Sequence, residues 1–199
     1  MIKAIFFDNG NVLMKEGYRP GIKEYEQKHN IEEGLLYVSA HDRPFWKEFT
    51  KGNITEKQYL EDTKEDFKGE LNVTELMDII NRKSLPNTEL LAYLPELKQR
   101  FTLGVISNNP KEWFDYYEQE FGFGNTFSVK AVSGYVHMRK PGQEIFKWAL
   151  AQAKVTGPES IYIDDRPDRV GGAESLGMKV IIYKDLPQLR NDIAALTNN

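Results

Sequence analysis

The chain has 199 residues, 40% of them hydrophobic and 28% charged, which suits one domain or one domain carrying an insertion. Its formal net charge of −4 gives no electrostatic reason to expect binding to nucleic acid or to an anionic membrane. The absence of cysteine excludes disulfides, thiolate metal ligands and cysteine nucleophiles. The sequence has no run of the ~20 apolar residues that a membrane span needs and no cleavage site near its start, so a cytoplasmic protein is expected.

The first predicted element is a buried strand over residues 2–7. Its apolar run lacks polar alternation, which is typical of an inner strand of a parallel sheet covered by helices on both faces. The run ends on Asp8, and the turn residues Asn9, Gly10 and Asn11 follow. Ligands of open α/β sheets bind beyond the carboxyl ends of the strands, so Asp8 is expected at a binding edge.

Residues 15–84 have a helical pattern with no convincing strand. The helix signals in this segment are Arg19-Pro20-Gly21, Pro44, a capping box formed by Thr55 and Gln58, and the apolar residues Leu76, Ile79 and Ile80. A structureless loop of this length is improbable in a compact domain. We therefore predict an all-helical insert that packs as a lid.

From residue 85 onward, strands and helices alternate. Pro86 interrupts the helical segment, and Asn87 or Thr88 can cap the next helix. The predicted strands are 101–106, 127–132, 161–163 and 179–183, and the later helices are 110–121, 141–153, 167–176 and 186–196. This alternation predicts an α/β fold with a doubly wound parallel sheet. Its Rossmann-like core would comprise residues 1–14 and 85–199, with residues 15–84 as the helical cap domain.

Polar groups follow three of the predicted strands. They are Asp8, the pair Ser107-Asn108, and the pair Asp164-Asp165. Lys140 precedes a predicted helix, and its amine can reach the same edge from a neighbouring loop. Together these groups supply what phosphoryl transfer requires: a nucleophile, a cation site, and hydrogen-bond donors for the phosphate oxygens. Hard oxygen ligands suit Mg²⁺, and a lysine suits a phosphate oxygen.

The chain resembles, over essentially its whole length, the haloacid dehalogenase-like hydrolase superfamily, in its phosphatase branch with a helical cap after the first strand. The residues that match the family motifs, in chain order, are Asp8, Ser107, Lys140 and Asp164-Asp165. The resemblance implies that Asp8 is the nucleophile and Lys140 a second catalytic residue. It implies that Asn9, Ser107, Asn108 and Lys140 bind the phosphate. It also implies that the Asp8 carboxylate, the Gly10 carbonyl and Asp165 bind Mg²⁺, with Asp164 beside them.

Gly10 departs from the family pattern, because most of these phosphatases carry a second aspartate there as general acid and base. The form Asp8-Asn9-Gly10-Asn11 is similar to a sub-branch that resembles bacterial sugar-phosphate phosphatases. We therefore predict a Mg²⁺-dependent phosphatase for a small phosphorylated metabolite, with a sugar phosphate as one option. The alternatives are a 2-haloacid dehalogenase, which needs no metal, and a catalytically silent binding protein on the same fold. The sequence leaves the oligomeric state open.

The remaining polar and aromatic residues are predicted to have structural roles. Arg139 and Arg169 are expected to be surface or ion-pair residues, and surface placement is favoured over substrate contact for His41, Asp42 and Arg43. Trp46, Trp113 and Trp148 are expected in the core, and Asn109 is expected to cap the helix that follows it.

Overall fold

The computed structural model describes residues 1–197 and has a five-stranded parallel sheet in the order β5-β4-β1-β6-β7. The strands are β1 (Ala4–Phe7), β2 (Met14–Lys15), β3 (Leu85–Pro86), β4 (Thr102–Ser107), β5 (Val129–Val132), β6 (Ser160–Asp164) and β7 (Lys179–Ile182). The sheet confirms the predicted α/β class, and its strands agree with the predicted ranges to within two residues. In its register, Phe7 lies opposite Val105 of β4 and Ile163 of β6.

Helices cover both faces of this sheet. They are α1 (Tyr18–Lys28), α2 (Leu35–His41), α3 (Pro44–Thr50), α4 (Glu56–Glu65), α5 (Val73–Lys83), α6 (Thr88–Lys98), α7 (Lys111–Phe121), α8 (Ser133–Val136), α9 (Gln143–Ala153), α10 (Gly171–Glu174) and α11 (Leu186–Thr197). Because successive strand side chains point to opposite faces, Ile5 and Phe7 join one apolar cluster while Ala4 and Phe6 join another. The central strand is therefore buried on both sides, as its continuous apolar run predicts.

The helical insert, residues 15–84, contains α1 to α5. Its predicted capping box is confirmed, since the backbone N–H of Gln58 donates to Thr55 Oγ1 and the backbone N–H of Thr55 donates to Gln58 Oε1. Helices α1 and α5 pack closely, because a Cβ at Gly21 would lie 2.7 Å from Ile80 Cγ1. The buried side chains of the insert belong to the same apolar cluster as Phe7, so the insert is packed on the sheet domain.

Three local features differ from the sequence predictions. The chain enters and leaves the insert through β2 and β3, which pair antiparallel where no strand is predicted, with Met14 opposite Pro86. Two short helices, α2 and α8, have no counterpart in the prediction. The predicted helix 167–176 is divided into a 3₁₀ turn, Pro167–Arg169, and the short helix α10. Such short elements depend on tertiary contacts, which a sequence pattern does not record.

The helices of the structure were compared with the requirements of a membrane span. Within residues 1–197, none of them combines the length and the apolar composition that crossing a bilayer requires. The cytoplasmic location remains a prediction.

Candidate active site

The central strands end at one edge of the sheet and bring the predicted polar residues together there. Asp8 directly follows β1, Ser107 is the last residue of β4, and Asp164 is the last residue of β6. The Asp8 N–H donates to the Ile163 carbonyl at 2.8 Å, which extends the strand ladder as far as this carboxylate. The backbone of the sheet therefore sets the position of Asp8.

Lys140 lies at the centre of a buried polar network, with only 3% of its surface exposed. Its Nζ is 2.9 Å from Asp8 Oδ1, 2.7 Å from Asp164 Oδ2 and 2.6 Å from the Tyr162 hydroxyl. These contacts use all three ammonium hydrogens. A buried charge is tolerated when it is both paired and hydrogen-bonded, and Lys140 meets both conditions.

The backbone of Lys140 is held by the loop after β4. The side-chain amide of Asn108 donates to the Lys140 carbonyl at 3.0 Å and accepts from the Lys140 N–H at 2.9 Å. Both ends of this amide are therefore occupied, and Asn108 positions the lysine. The predicted contact between Asn108 and the phosphate remains a prediction. Because the side chain is engaged with Lys140, the backbone N–H of Asn108 would have to make that contact.

The Asp8 carboxylate has two different oxygens. Oδ1 accepts from the Ser107 hydroxyl at 2.7 Å and from the Asn9 N–H at 2.7 Å, in addition to its contact with Lys140. Oδ2 accepts no hydrogen bond from any residue in the described range 1–197. Burial raises the pKa of the Asp8 carboxyl above its ordinary value, while the Lys140 ammonium opposes that shift. One oxygen is thus held in place and the other is free to react.

Three carboxylates converge at this edge of the sheet. One oxygen from each of Asp8, Asp164 and Asp165 lies within 4.8 Å of the others. Burial raises the pKa of Asp165, and the charge of Asp164 raises it further. Like charges this close favour a bound cation, and hard oxygen donors are the ligands that Mg²⁺ prefers. The donor set therefore fits a divalent cation such as Mg²⁺.

Asp164 and Asp165 differ in how many of their oxygens are occupied. Asp164 is fully buried, its Oδ2 accepts from Lys140 and Tyr162, and its Oδ1 accepts from the Arg166 N–H at 2.9 Å. Asp165 accepts one side-chain hydrogen bond, from Asn11 Nδ2 at 3.2 Å. The unoccupied oxygens thus favour Asp165 over Asp164 as a direct metal ligand.

Gly10 and Asn9 complete the loop after β1. A Cβ built on Gly10 would meet no atom within 4 Å, so this position has room for a side chain. The Asn9 side chain is fully buried, and its amide donates to Asn109 Oδ1 at 3.2 Å. The cap prediction for Asn109 is wrong, because helix α7 has Pro110 at its N-cap with no side-chain cap. The Asn109 side chain instead supports the loop that carries Asp8.

A cavity of about 180 Å³ opens above these residues. Its wall on the insert side includes His41, Trp46 and Tyr18, and Trp113 of α7 lies beside them. The Tyr18 and Trp46 rings are stacked, with centroids 4.8 Å apart and planes at 16°. His41 therefore lines the cavity, contrary to the surface prediction, and the two tryptophans combine a packing role with a cavity-lining role.

A family model described as haloacid dehalogenase-like hydrolase matches residues 47–183. The chain belongs to this family. The resemblance inferred from the motif residues is thereby confirmed. A solved family enzyme from Bacteroides thetaiotaomicron, in complex with magnesium and inorganic phosphate, is similar to this hydrolase with a TM-score of 0.79 and 22% sequence identity. That match covers 95% of this chain and 99% of the other.

Two further relatives bear different names. A solved 2-haloacid dehalogenase from Pseudomonas syringae has a TM-score of 0.63 and 20% identity, covering 92% of this chain and 86% of its own. A curated protein, the drimenol cyclase of Aspergillus calidoustus, is 23% identical over 198 residues, which is 97% of this chain. The hydrolase chain spans only 36% of the length of that cyclase. At these identities the structural likeness shows the fold alone.

Sequence reasoning missed two residues of this hydrolase site. The Tyr162 hydroxyl donates to Asp164 and accepts from Lys140, and its oxygen lies 3.3 Å from the Ile106 carbonyl oxygen. Its sequence signal is the spacing of two residues from Asp164, which puts both side chains on one face of β6. Arg139, predicted as a surface or ion-pair residue, lines the cavity, and its Nη1 is buried with no hydrogen-bond partner in the part of the chain described. Its only sequence signal is that it directly precedes Lys140.

Proposed function

We propose that this protein is a Mg²⁺-dependent phosphatase that hydrolyses a small phosphorylated metabolite through an aspartyl-phosphate at Asp8, with a sugar phosphate as one substrate option. One observation carries the proposal. Asp8 Oδ1 is held by Ser107 at 2.7 Å and Lys140 at 2.9 Å, while its Oδ2 accepts no hydrogen bond within residues 1–197. A carboxylate oriented in this way, with acids for a cation beside it, suits nucleophilic attack on phosphorus.

The first chemical step forms a bond between one carboxylate oxygen of Asp8 and phosphorus while the bond from phosphorus to the leaving oxygen breaks. Ser107 and Lys140 each donate to Asp8 Oδ1 in this structure, and in the proposed reaction they would turn those donors to the phosphoryl oxygens, which gain negative charge in the transition state. The leaving oxygen takes its proton from water, because Gly10 has no acidic side chain. In the second step, water attacks the phosphorus of the aspartyl-phosphate, which releases inorganic phosphate and restores the Asp8 carboxylate.

Asp8, the Gly10 carbonyl and Asp165 would hold Mg²⁺, and Asp164 would stand behind them and orient Lys140. When bound, the cation neutralises charge on the carboxylates and on the phosphoryl group. This assignment is supported by the 4.8 Å grouping of the three carboxylates and by the single hydrogen bond that Asp165 accepts from Asn11.

We further propose that residues 15–84 act as a cap domain on a catalytic core of residues 1–14 and 85–199. The support is the position of Tyr18, His41 and Trp46 in the cavity wall beside the Asp8 edge. A wall of this kind excludes water and selects the substrate body. The paired strands β2 and β3 are the natural hinge, because both connections pass through them.

Turnover of p-nitrophenyl phosphate with and without Mg²⁺ tests this function, with 2-chloropropionate as the parallel dehalogenase substrate. We expect phosphate release that requires Mg²⁺ and no halide release. Halide release without a metal would establish the dehalogenase instead, and no turnover of either class would favour the silent binding protein. In labelled water, oxygen-18 should enter the released phosphate and not Asp8, and label in Asp8 would place the attack of water on a carboxyl carbon instead of on phosphorus. Failure of beryllium fluoride to form an adduct on Asp8 would refute the covalent route.

A further inference from the structure

Arg139 is unusual among the arginines that line the cavity. The part of the chain described here provides no ion-pair partner for its guanidinium, and its Nη1 is buried without an acceptor. The neighbouring cavity arginines do have partners. Arg166 contacts Asp168 through Nε at 3.0 Å and Nη2 at 2.8 Å, and Arg169 Nε lies 3.5 Å from the same carboxylate. Arg19 lies over the Tyr37 ring at 4.9 Å.

An unpaired donor of this kind is costly inside a protein. Burial, together with the nearby Arg169 charge, lowers the pKa of Arg139 to about 10, so the guanidinium still carries its charge at neutral pH. A buried donor without an acceptor loses its bonds to water and gains none in return. The adjacent carboxylate of Asp168 is already shared by Arg166 and Arg169. The acceptor for Arg139 therefore lies outside residues 1–197, and an anionic ligand in the cavity is suited to supply it.

The phosphoryl group attacked by Asp8 already has donors, namely the Ser107 hydroxyl and the Lys140 ammonium next to that carboxylate. We propose that Arg139, with Arg169 beside it, binds a second anionic group of the substrate, either a carboxylate or another phosphate. This inference rests on the proposed phosphatase function and narrows its substrate class. A guanidinium suits both groups, because its fork of N–H donors matches two oxygens of one anion.

The opposite wall of the cavity constrains the part of the substrate between the two anionic groups. The Trp46 and Tyr18 rings are stacked on each other there, and the ring centroids of Trp113 and Tyr18 are 5.5 Å apart. These rings form the wall opposite the charged residues, and they favour a compact body between the two groups. The preferred substrate is thus a small phosphorylated acid or a small bisphosphate.

Two matched substrate pairs test this subsite. Glycerol 3-phosphate and 3-phosphoglycerate differ by a carboxylate, and glucose 6-phosphate and glucose 1,6-bisphosphate differ by a phosphate. We expect the wild type to prefer the member with the extra anion in one pair or in both by roughly 10-fold to 100-fold in kcat/KM, the value of one charged hydrogen bond. Arg139→Gln should bring this ratio close to one. Arg166→Gln should keep it, because Arg166 already has Asp168 as its partner.

Dissociation constants measured by calorimetry in an Asp8→Asn background, with Mg²⁺ present, test the subsite without turnover. The same preference should appear in binding and should disappear when Arg139→Gln is added. If wild type hydrolyses no phosphate but the binding preference exists, the proposed phosphatase function fails and the subsite stands. If Arg139→Gln weakened the binding of both members of a pair by the same factor, the subsite would be overturned. That result would assign Arg139 to the transferred phosphoryl group. Absence of any wild-type preference would overturn it as well.

Discussion

The two walls of the cavity are built in different ways. On the sheet side, Lys140 and Asp164 are 3% and 0% exposed, and charged hydrogen bonds hold both. On the insert side, Trp46 and His41 are only partly buried and are held by contacts between rings. Under the proposed function, the sheet wall would fix the reacting groups, which need exact geometry, and the insert wall would select the substrate body by shape and stacking.

The connections to each wall explain this difference. In the sheet wall, Asp8, Ser107 and Asp164 lie at or directly after the ends of parallel strands, whose ladders run from Ala4 to Phe7 on both sides of β1. Lys140 is held by its hydrogen bonds to Asp8 and Asp164. The insert is covalently attached through β2 and β3, a pair of only two residues each, and its packing on the sheet domain holds it in place. Changes in the sheet wall should therefore affect the rate of chemistry, and changes in the insert wall should affect the choice of substrate.

The largest expected effect is that of Asp8→Asn in the sheet wall. The amide keeps the volume but cannot form an acyl phosphate, so kcat should fall by roughly 10⁴-fold or more. The measurement is Mg²⁺-dependent turnover of p-nitrophenyl phosphate, with circular dichroism to show that the fold is intact. A folded variant that retained a tenth of the wild-type rate would remove Asp8 from the nucleophile role.

Lys140→Met tests whether the sheet wall also depends on its buried cation for stability. This change leaves Asp8 and Asp164 buried without their partner, so the free energy of unfolding should fall by about 3–5 kcal/mol and kcat by roughly 10²-fold to 10³-fold. Urea unfolding and turnover measure the two effects. The control is Lys111→Met, which removes an exposed pair with Asp115 and should change stability by less than ~1 kcal/mol. Equal losses in the two variants would contradict the network described for Lys140.

Gly10→Asp adds to the sheet wall the acid that it lacks. Because a Cβ at Gly10 meets no atom within 4 Å, the new carboxylate has room. A positioned acid is typically worth ~10²–10⁴ in rate, and even partial recovery should accelerate alkyl phosphates by about 10-fold or more, but aryl phosphates much less. The measurement is a plot of log(kcat/KM) against leaving-group pKa, with Gly10→Asn as the matched control. A flat wild-type plot, with chemistry rate-limiting, would mean that another group supplies the proton.

Trp46→Leu probes the insert wall. Loss of an aromatic contact worth ~1 kcal/mol should raise KM by roughly 3-fold to 10-fold, leave kcat nearly constant and change the order of preferred substrates. A panel of phosphorylated metabolites gives the readout, and Trp148→Leu, on the other side of the sheet, is the control for loss of a tryptophan. A fall in kcat with an unchanged order of preferred substrates would indicate that Trp46 contributes to the chemical step. The proposed difference in role between the two walls would then be wrong.

The smallest expected effect is a gain in stability from Asp165→Asn in metal-free buffer. Burial raises the pKa of Asp165, so its ionised form destabilises the folded state at neutral pH. Solvent screening of this half-buried group keeps the gain to ~1 kcal/mol or less, which corresponds to about 2–4 °C in melting temperature.

The advantage of Asp165→Asn should vanish as the pH falls below the ordinary aspartate pKa of about 4, because both states then carry a neutral carboxyl. Thermal unfolding at several pH values, with and without Mg²⁺, is the measurement. Addition of Mg²⁺ should stabilise the wild type and not the variant. Equal stabilisation of both proteins by Mg²⁺ would remove Asp165 from the proposed cation site.

The residues that follow strands could be predicted from the sequence, and the reason is local. A buried parallel strand is marked by its apolar run, and the polar residue after it must lie at the edge of the sheet where Asp8 and Asp165 are found. The orphaned guanidinium of Arg139 has no such mark. No residue of the described range 1–197 offers it an acceptor, and the lack of a contact between distant segments leaves no pattern along the chain.

By itself, then, the sequence determined the strands of the parallel sheet, most of the helices, the family resemblance, and the set of polar residues at the ends of β1, β4 and β6. Strand periodicity and motif spacing are properties of neighbouring residues, so they can be taken from the chain directly. Only the tertiary structure decided that Tyr162 joins the lysine network, that His41 and Trp46 line the cavity, and that Arg139 finds no acceptor within residues 1–197. Those facts depend on how segments that are distant along the chain pack together, which is set by the free energy of the whole fold and not by any local preference.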